Sequence, residues 1–415
     1  MRLQTHKRWF VCWSCCLAFL GSAPGARAQD IVLGMSAAFK GPSSGLGIEL
    51  YLGSMAYFEY VNREKGGVHG RKIVLKAYDD GYDPAAAMKN TVKLLENDDP
   101  FLLYGYVGTP TVTRVLPLLK LHEEHHAYLF FPFTGAKPHR QPPYDQFVFN
   151  LRPSFHQETG ETVEHFLRIG RKRIAVFYQI DSFGRGGWDG VRAALAKKDL
   201  PMIEEATYKR GAPFTSDMKA QVAILRKANP DAVICVGAYA ACAAFIRDAR
   251  DADWDVPITN VAFVGSENLL KLLLEHGRAQ GKDYTQNLIN SQVVPGYERT
   301  ELAAVKEYRE LIERYQPMPP PELVEAGYQP LPRSYVSFEG YLNAKLLVEI
   351  LNRMGKDLDK KRLPQVVESI DRFDLGLDEK VSFGPKNHQG LQRVYFTTVQ
   401  DGRFVRLEDW KKWTN

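Results

Sequence analysis

Cysteine is scarce in this chain of 415 residues. There are 5, and Cys12, Cys15 and Cys16 fall within the first 28 positions. That leaves Cys235 and Cys242, enough for one disulfide in an oxidising compartment. Cys235 falls in a predicted strand and Cys242 in the helix after it, so two buried thiols are expected instead. Basic tracts are also missing, which argues against a nucleic-acid partner. No apolar run after Leu20 is long enough to span a bilayer, so the mature protein is expected to be soluble. No glycine-rich turn has the G-x-G-x-x-G spacing of a dinucleotide site. The stretch from Phe101 to Ala136 holds no obvious nucleophile–base pair, so its loop is better suited to holding a molecule than to cutting one.

What is present begins with an address. Arg2, Lys7 and Arg8 precede an apolar run from Trp9 to Leu20, and small residues lead to Ala26-Arg27-Ala28. This is the pattern of a signal peptide over residues 1–28, cleaved near Ala28. The run is short for a membrane anchor. No leucine stands three places before any of its cysteines, which argues against a lipoprotein. The leader holds Arg2, Lys7, Arg8 and Arg27 and no acid. Its removal lowers Lys plus Arg from 54 to 50 against 49 acidic residues, leaving a net charge of +1. The basic balance therefore belongs largely to the leader.

The remainder, 45% apolar and 25% charged over the whole sequence, is long enough for two or three domains. Short apolar runs alternate with amphipathic ones. The first unit reads strand Ile31–Met35, loop Ser36–Leu46, helix Gly47–Lys65, strand Ile73–Tyr78 and a helix capped by Asp83 with Pro84 at its first position. It continues through strand Phe101–Tyr104, a helix to Glu124, and strands Tyr128–Phe131 and Phe147–Leu151. A second unit restarts at helix Glu158–Ile169 and runs to strand Leu288–Val294, including a helix Gly187–Lys198 and a strand Ile258–Val264. Such alternation predicts parallel sheets covered by helices, in two lobes. The tail adds helices Thr300–Tyr315, Ser334–Met354 and Leu363–Ser369. A strand Val381–Phe383 and a hairpin of Arg393–Thr398 with Phe404–Leu407 follow. It is expected to be shared between the lobes.

Two loops stand out. Gly105-Tyr106-Val107-Gly108-Thr109-Pro110-Thr111 and Pro132-Phe133-Thr134-Gly135-Ala136 each leave the carboxyl end of a strand, where open α/β sheets bind ligands. The first opens into a helix, whose unpaired N–H groups suit an anion such as a carboxylate. Other motifs have plainer readings. His122-Glu123-Glu124-His125-His126 fits H-E-x-x-H, but His126 falls where the helix must end before a strand, so no zinc site is expected. Gly184-Arg185-Gly186-Gly187 reads as a tight strand-to-helix turn. Asp79-Asp80-Gly81-Tyr82-Asp83 lacks the ligand spacing of a calcium loop and reads as a turn and cap. Glu267 follows a strand's carboxyl end. It is either a first-turn residue stabilised by the helix dipole or a carboxylate facing a cleft, ready for an ammonium.

One resemblance draws these features together. Gly53, Asn62, the run Gly66-Gly67-Val68-His69-Gly70-Arg71 and the run Tyr78-Asp79-Asp80-Gly81-Tyr82-Asp83-Pro84 resemble the branched-chain amino acid (Leu/Ile/Val) binding proteins of bacterial ABC importers. The likeness continues through the Thr109 loop, Phe133-Thr134-Gly135-Ala136, Asp181-Ser182-Phe183-Gly184 and Phe383-Gly384-Pro385. It implies a periplasmic binding protein type I fold with the ligand between two lobes. By that resemblance Thr109 receives the ligand carboxylate, Val107 and Gly108 line the pocket beside it, and Thr134 and Gly135 help hold the same group. Leu46 and Tyr335 take places where aromatic rings pack on the ligand side chain, and Glu267 takes the place of the carboxylate that receives the ammonium. Three departures follow. Gly135 aligns with the family's threonine, Leu46 replaces an aromatic, and Tyr82 and Gly108 stand where the family's lobe disulfide would be.

The expected architecture is therefore α/β, with two doubly wound parallel-sheet lobes joined by a three-stranded hinge. Residues 29–150 and 297–381 form lobe 1, and residues 151–296 and 382–415 form lobe 2. The expected function is that of a periplasmic solute-binding protein. It carries a small amino acid or related carboxylate to ABC permease membrane subunits, as a monomer, with no cofactor, no metal and no catalysis. The rivals are a ligand-sensing receptor of the same fold and a zinc hydrolase built on His122 and His126.

Overall fold

The computed structural model describes residues 29–414, so the expected leader and its three cysteines lie outside the described residues. Two sheets carry the fold. The first is ordered β2-β1-β3-β4-β5, from β1 (Ile31–Ala37), β2 (Ile73–Asp79), β3 (Leu102–Tyr104), β4 (Leu129–Phe130) and β5 (Val148–Phe149), all parallel. The second is ordered β12-β11-β10-β9-β8-β6-β7. It is built from β6 (Ile174–Gln179), β7 (Glu204–Tyr208), β8 (Ala232–Val236), β9 (Ile258–Asn260), β10 (Leu288–Gln292), β11 (Tyr395–Gln400) and β12 (Arg403–Arg406). Its last two strands are an antiparallel hairpin; the other five are parallel. Read from β7 to β10, the second sheet repeats the strand order of the first. Each sheet thus has one switch point, between β1 and β3 and between β6 and β8, where the loops splay apart and leave a crevice.

The helices are α1 (Ser44–Glu64), α2 (Pro84–Lys93), α3 (Thr109–Leu121), α4 (Phe155–Arg168), α5 (Ser182–Ala196), α6 (Lys219–Lys227), α7 (Tyr239–Asp251), α8 (Ser266–Gln280), α9 (Ala303–Tyr315), α10 (Tyr335–Met354) and α11 (Leu363–Glu368). Their starts follow from their caps. The Asp83 carboxylate accepts from Ala85 N and Ala86 N, with Pro84 at the first helical position. Ser154 and Gln157 form a capping box on α4, as do Ser334 and Ser337 on α10. In the first lobe α1, α9 and α10 pack together, and both glycines of one crossing are needed. A Cβ on Gly53 would lie 1.7 Å from Ser337 O, and one on Gly340 would lie 2.2 Å from Leu50 O.

Several boundaries differ from the sequence reading, for local reasons. Helix α1 begins at Ser44, which takes Leu46 out of the expected loop and into the first helical turn. The glycines Gly184, Gly186 and Gly187 lie inside α5, because Asp181 caps the helix by accepting from Phe183 N. The strand expected over Ile258–Val264 stops at Asn260 and yields to a 3-10 turn at Ala262–Val264. Helix α3 stops at Leu121, with a 3-10 turn at Glu123–His125. Val381 makes only an isolated bridge with Phe373 instead of a strand.

The chain passes between the sheets three times: after β5, after β10, and in the stretch between α11 and β11. Two of these connections run side by side. Asn150 N donates to His388 O at 2.8 Å, Gly390 N to Asn150 O at 2.9 Å, and Leu391 N to Leu151 O at 2.8 Å. No described helix is long and apolar enough to cross a membrane. Cys235 and Cys242 are free and buried, as expected of thiols on a strand and the next helix.

Candidate functional site

On the first lobe the site grows from the two neighbouring loops at the carboxyl ends of β3 and β4. Gly108 N donates to Phe133 O at 3.2 Å and Phe133 N to Tyr106 O at 2.7 Å, so the loops after β3 and β4 run together, with Val107 bridged to Phe133. This register brings the hydroxyls of Thr109 and Thr134 to 2.6 Å, both buried. Thr134 Oγ1 also accepts from Ala136 N at 3.2 Å. The Thr111 hydroxyl is occupied elsewhere, donating to Gly108 O at 2.8 Å inside its own helix. Gly135 backs onto Phe155, whose N–H donates to Gly135 O at 2.7 Å. Behind the second loop the Arg140 guanidinium donates to Ala136 O at 2.8 Å and Arg152 O at 3.0 Å, fixing the carbonyls that shape the seat.

The second lobe answers with the segment after β9. Phe263 presses its ring to 4.4 Å from Phe183, 5.3 Å from Phe133 and 6.1 Å from Tyr82, counted between centroids, so it joins both lobes. Glu267 stands in the first turn of α8 and accepts from Tyr335 N at 3.2 Å, across the cleft. Its other oxygen, Oε1, is buried and has no hydrogen-bond partner in the protein. Burial pushes this carboxyl up to about 8, and the hydrogen bond from Tyr335 N–H opposes the rise. The Tyr335 ring packs 5.1 Å from that of Tyr297. Leu46 leans on Gly265, where a Cβ would come within 2.7 Å of Leu46 Cδ2.

These contacts close the cleft. Gly45 N donates to Tyr239 Oη at 3.1 Å, and Gln179 Nε2 lies 3.4 Å from Tyr82 Oη. Gly108 has φ of 102°, and a Cβ on it would lie 2.1 Å from Tyr82 Cε2. The bare face of Gly108 is therefore covered by the Tyr82 ring. The residues singled out from sequence fall into three sets. Thr109, Thr134, Val107 and Gly135 lie together on the two loops, Glu267 meets Tyr335, and Leu46 meets the Glu267 segment at Gly265. Phe133 and Tyr335 both border one narrow crevice between them.

The zinc arrangement is not assembled. His122 ends α3, His125 lies in the 3-10 turn, and His126 has φ of 54°, so the motif never occupies one helical face. Among the described residues no three of His, Cys, Asp and Glu are grouped to hold a metal ion.

Residues 30–403 match the family model described as periplasmic binding protein. The chain belongs to that family. Among curated relatives of this periplasmic binding protein, Leu/Ile/Val-binding protein homolog 7 of Brucella abortus (strain 2308) is 24% identical over 405 residues, covering 93% of each chain. Among solved structures, a possible leucine/isoleucine/valine-binding protein from Rhodopirellula baltica SH 1 is 29% identical, with a TM-score of 0.80 over 93% of this chain and 98% of its own. A branched chain amino acid ABC transporter protein from Thermus thermophilus, solved with bound valine, has a TM-score of 0.77 over 92% of this chain and 96% of its own. At 17% identity it speaks for the fold alone. The type I architecture expected from the resemblance is thus the architecture of this periplasmic binding protein.

Four residues of the cleft escaped the sequence reading: Tyr82, Gln179, Tyr239 and Phe263. Tyr82 was counted as part of a turn, Gln179 ends a strand, and Phe263 was placed inside one. Tyr239 had a usable signal, since it starts the helix after β8, at the second sheet's own switch point.

Proposed function

We propose that this protein is the extracytoplasmic solute-binding component of an ABC importer, taking a small amino acid or related carboxylate between its lobes and presenting it to membrane permease subunits. Lobe 1 is assigned residues 29–150 and 297–381, and lobe 2 residues 151–296 and 382–415. In this reading the Thr109–Thr134 seat, with Val107, Gly108 and Gly135 around it, takes the carboxylate. Glu267 takes the ammonium, and Leu46 and Tyr335 bound the side chain. The observation that carries the reading is Glu267. It is a buried carboxylate with one oxygen unpartnered, on the lobe opposite a hydroxyl-lined loop that bears no charge. A buried carboxylate oxygen without a partner is costly, and an ammonium relieves that cost. The names of the relatives, several of them Leu/Ile/Val-binding proteins, support an amino acid ligand. No metal, cofactor or covalent step enters, and the protein acts as a monomer.

The test is a thermal-shift screen of amino acids and aromatic acids, followed by calorimetry. A true ligand at 100 times its dissociation constant stabilises the folded state by about 2.7 kcal/mol. Loss of one partner from a buried charge pair costs about 2–5 kcal/mol, so Glu267→Ala weakens an amino acid by roughly a hundredfold. The same change leaves a plain carboxylic acid unweakened. A native ligand without an amine, indifferent to Glu267→Ala, removes the amino acid assignment.

A further inference from the structure

The third connection between the sheets, in the stretch between α11 and β11, carries a histidine that the ligand seat does not use. The side chain of His388 is 8% exposed. Its Nδ1 lies 2.7 Å from Asp145 O, and its Nε2 lies 3.1 Å from Oε1 of Glu368, the last residue of α11. The ring stacks on Phe149 of β5, with 4.3 Å between centroids. The backbone of His388 is tied to the first connection as well. Its carbonyl accepts from Asn150 N at 2.8 Å and from Asn150 Nδ2 at 3.2 Å. Two residues on, Gly390 N donates back to Asn150 O at 2.9 Å. One residue therefore fastens two of the three connections to each other and to the first lobe.

Both polar neighbours of the ring are acceptors. A backbone carbonyl cannot donate a hydrogen bond, and neither can an ionised carboxylate. A neutral imidazole carries one N–H, so one of its nitrogens would turn a lone pair toward an oxygen. Only the imidazolium, with a proton on each nitrogen, satisfies both contacts. A cavity of ≈ 590 Å³ opens beside the ring and gives protons a path from solvent. Its other charged or titratable borders are Glu123, His126, Tyr128, Arg140, Asp145 and Lys386. The Arg140 guanidinium is engaged with Ala136 O and Arg152 O, while Glu123 and Lys386 are exposed to water. Glu368 is the carboxylate that meets the ring.

We propose that His388 is a proton-operated fastener of the hinge, which ties the third connection to the first lobe while the ring is charged and frees it from Glu368 when the ring is neutral. Histidine is the side chain that ordinarily changes charge between about pH 5 and pH 8. The direction follows from the contacts. At low pH both ring N–H groups donate. When one proton leaves, Nδ1–H keeps the shorter contact to Asp145 O, and Nε2 faces Glu368 with a lone pair. The connection then loosens, and the lobes part with less resistance. The inference concerns the hinge and does not depend on which solute the cleft takes.

The experiment uses the folded chain of residues 29–415 with isotopically labelled histidine rings, the His388 signals being assigned by their loss in His388→Gln. Both ring nitrogens of His388 should be protonated at about pH 5, and Nε2 should be bare by about pH 8. Hydrogen exchange, corrected for its intrinsic dependence on pH, then reads the hinge through the peptide that holds Asn150, with the β8 peptide as reference. Over that range the relative protection of the Asn150 peptide should fall about tenfold, the effect of losing one charge-assisted hydrogen bond. In Glu368→Gln, whose amide can donate to an unprotonated Nε2, it should fall less than about twofold. His388→Gln, which cannot change charge, should behave like Glu368→Gln. A His388 ring with a single proton at the low end of the range overturns the proposal, and so does an equal fall in all three proteins.

Discussion

Glu267 is an acid placed where its charge is disfavoured. Its carboxyl is raised from 4.5 to about 8, chiefly by burial. Between those values the folded, ligand-free protein holds a proton that the unfolded chain has released. The folded state binds more protons in that window, so its stability falls as pH rises from about 4.5 to about 8 and changes no further above it. Glu49 and Asp80, each raised to about 7 by burial, act in the same direction. The melting temperature without ligand should therefore decline between pH 5 and pH 8, and Glu267→Gln, which cannot ionise, should decline less steeply. A slope identical to wild type would mean that Glu267 is ionised throughout. An amino acid ligand responds the other way, because its ammonium needs the carboxylate, so affinity should rise toward pH 8. Thr109→Val makes a different demand. It removes the hydroxyl that pairs with Thr134 at 2.6 Å, so the folded state should lose about 1 kcal/mol in urea titrations, while Thr109→Ser loses less.

Among the elements, the crossing of α1 and α10 is the most exacting. Gly340 has no room for a side chain, since a Cβ would strike Leu50 O, a backbone atom that cannot turn aside. Gly340→Val should lower the urea midpoint by the equivalent of about 1–3 kcal/mol. Elements of this kind were legible wherever caps and apolar runs agreed. Asp83-Pro84 marked the start of α2, and the alternation of runs gave both parallel sheets. Elements were misread where a local rule competed with a neighbour. The glycines after Asp181 read as a loop by composition, yet the Asp181 cap forces them into a helix. Phe263 read as strand by its apolar neighbours, although it projects from a 3-10 turn. The two loops of the seat were legible because each leaves a strand's carboxyl end. Their partner Gln179 was not, because it meets the other lobe across the cleft, a distance in sequence that no pattern encodes, while Tyr239, at the start of the helix after β8, carried a signal that went unused.

Across the whole molecule the lobes meet through side chains and through three connections. Tyr82 is one such contact from the first lobe. Its ring lies on Gly108 and near Phe263, and the Arg210 guanidinium approaches within 5.8 Å of its centre. Tyr82→Ala should enlarge the ligand-free radius of gyration in small-angle scattering and weaken ligand, because closure then has fewer contacts to drive it. Saturating ligand should bring the wild-type radius down; an unchanged radius would mark a rigid, preclosed protein. The buried thiols bear on how such motion can be watched. Cys235 and Cys242 are both 0% exposed, so a maleimide dye added to a folded chain of residues 29–415 finds neither. Cysteines introduced at Leu121, 73% exposed in lobe 1, and Ile224, 48% exposed in lobe 2, would then carry all of the label. A chain already poor in sulfur is in this way prepared for single-molecule energy transfer, with the opening of each molecule read directly as a change in colour.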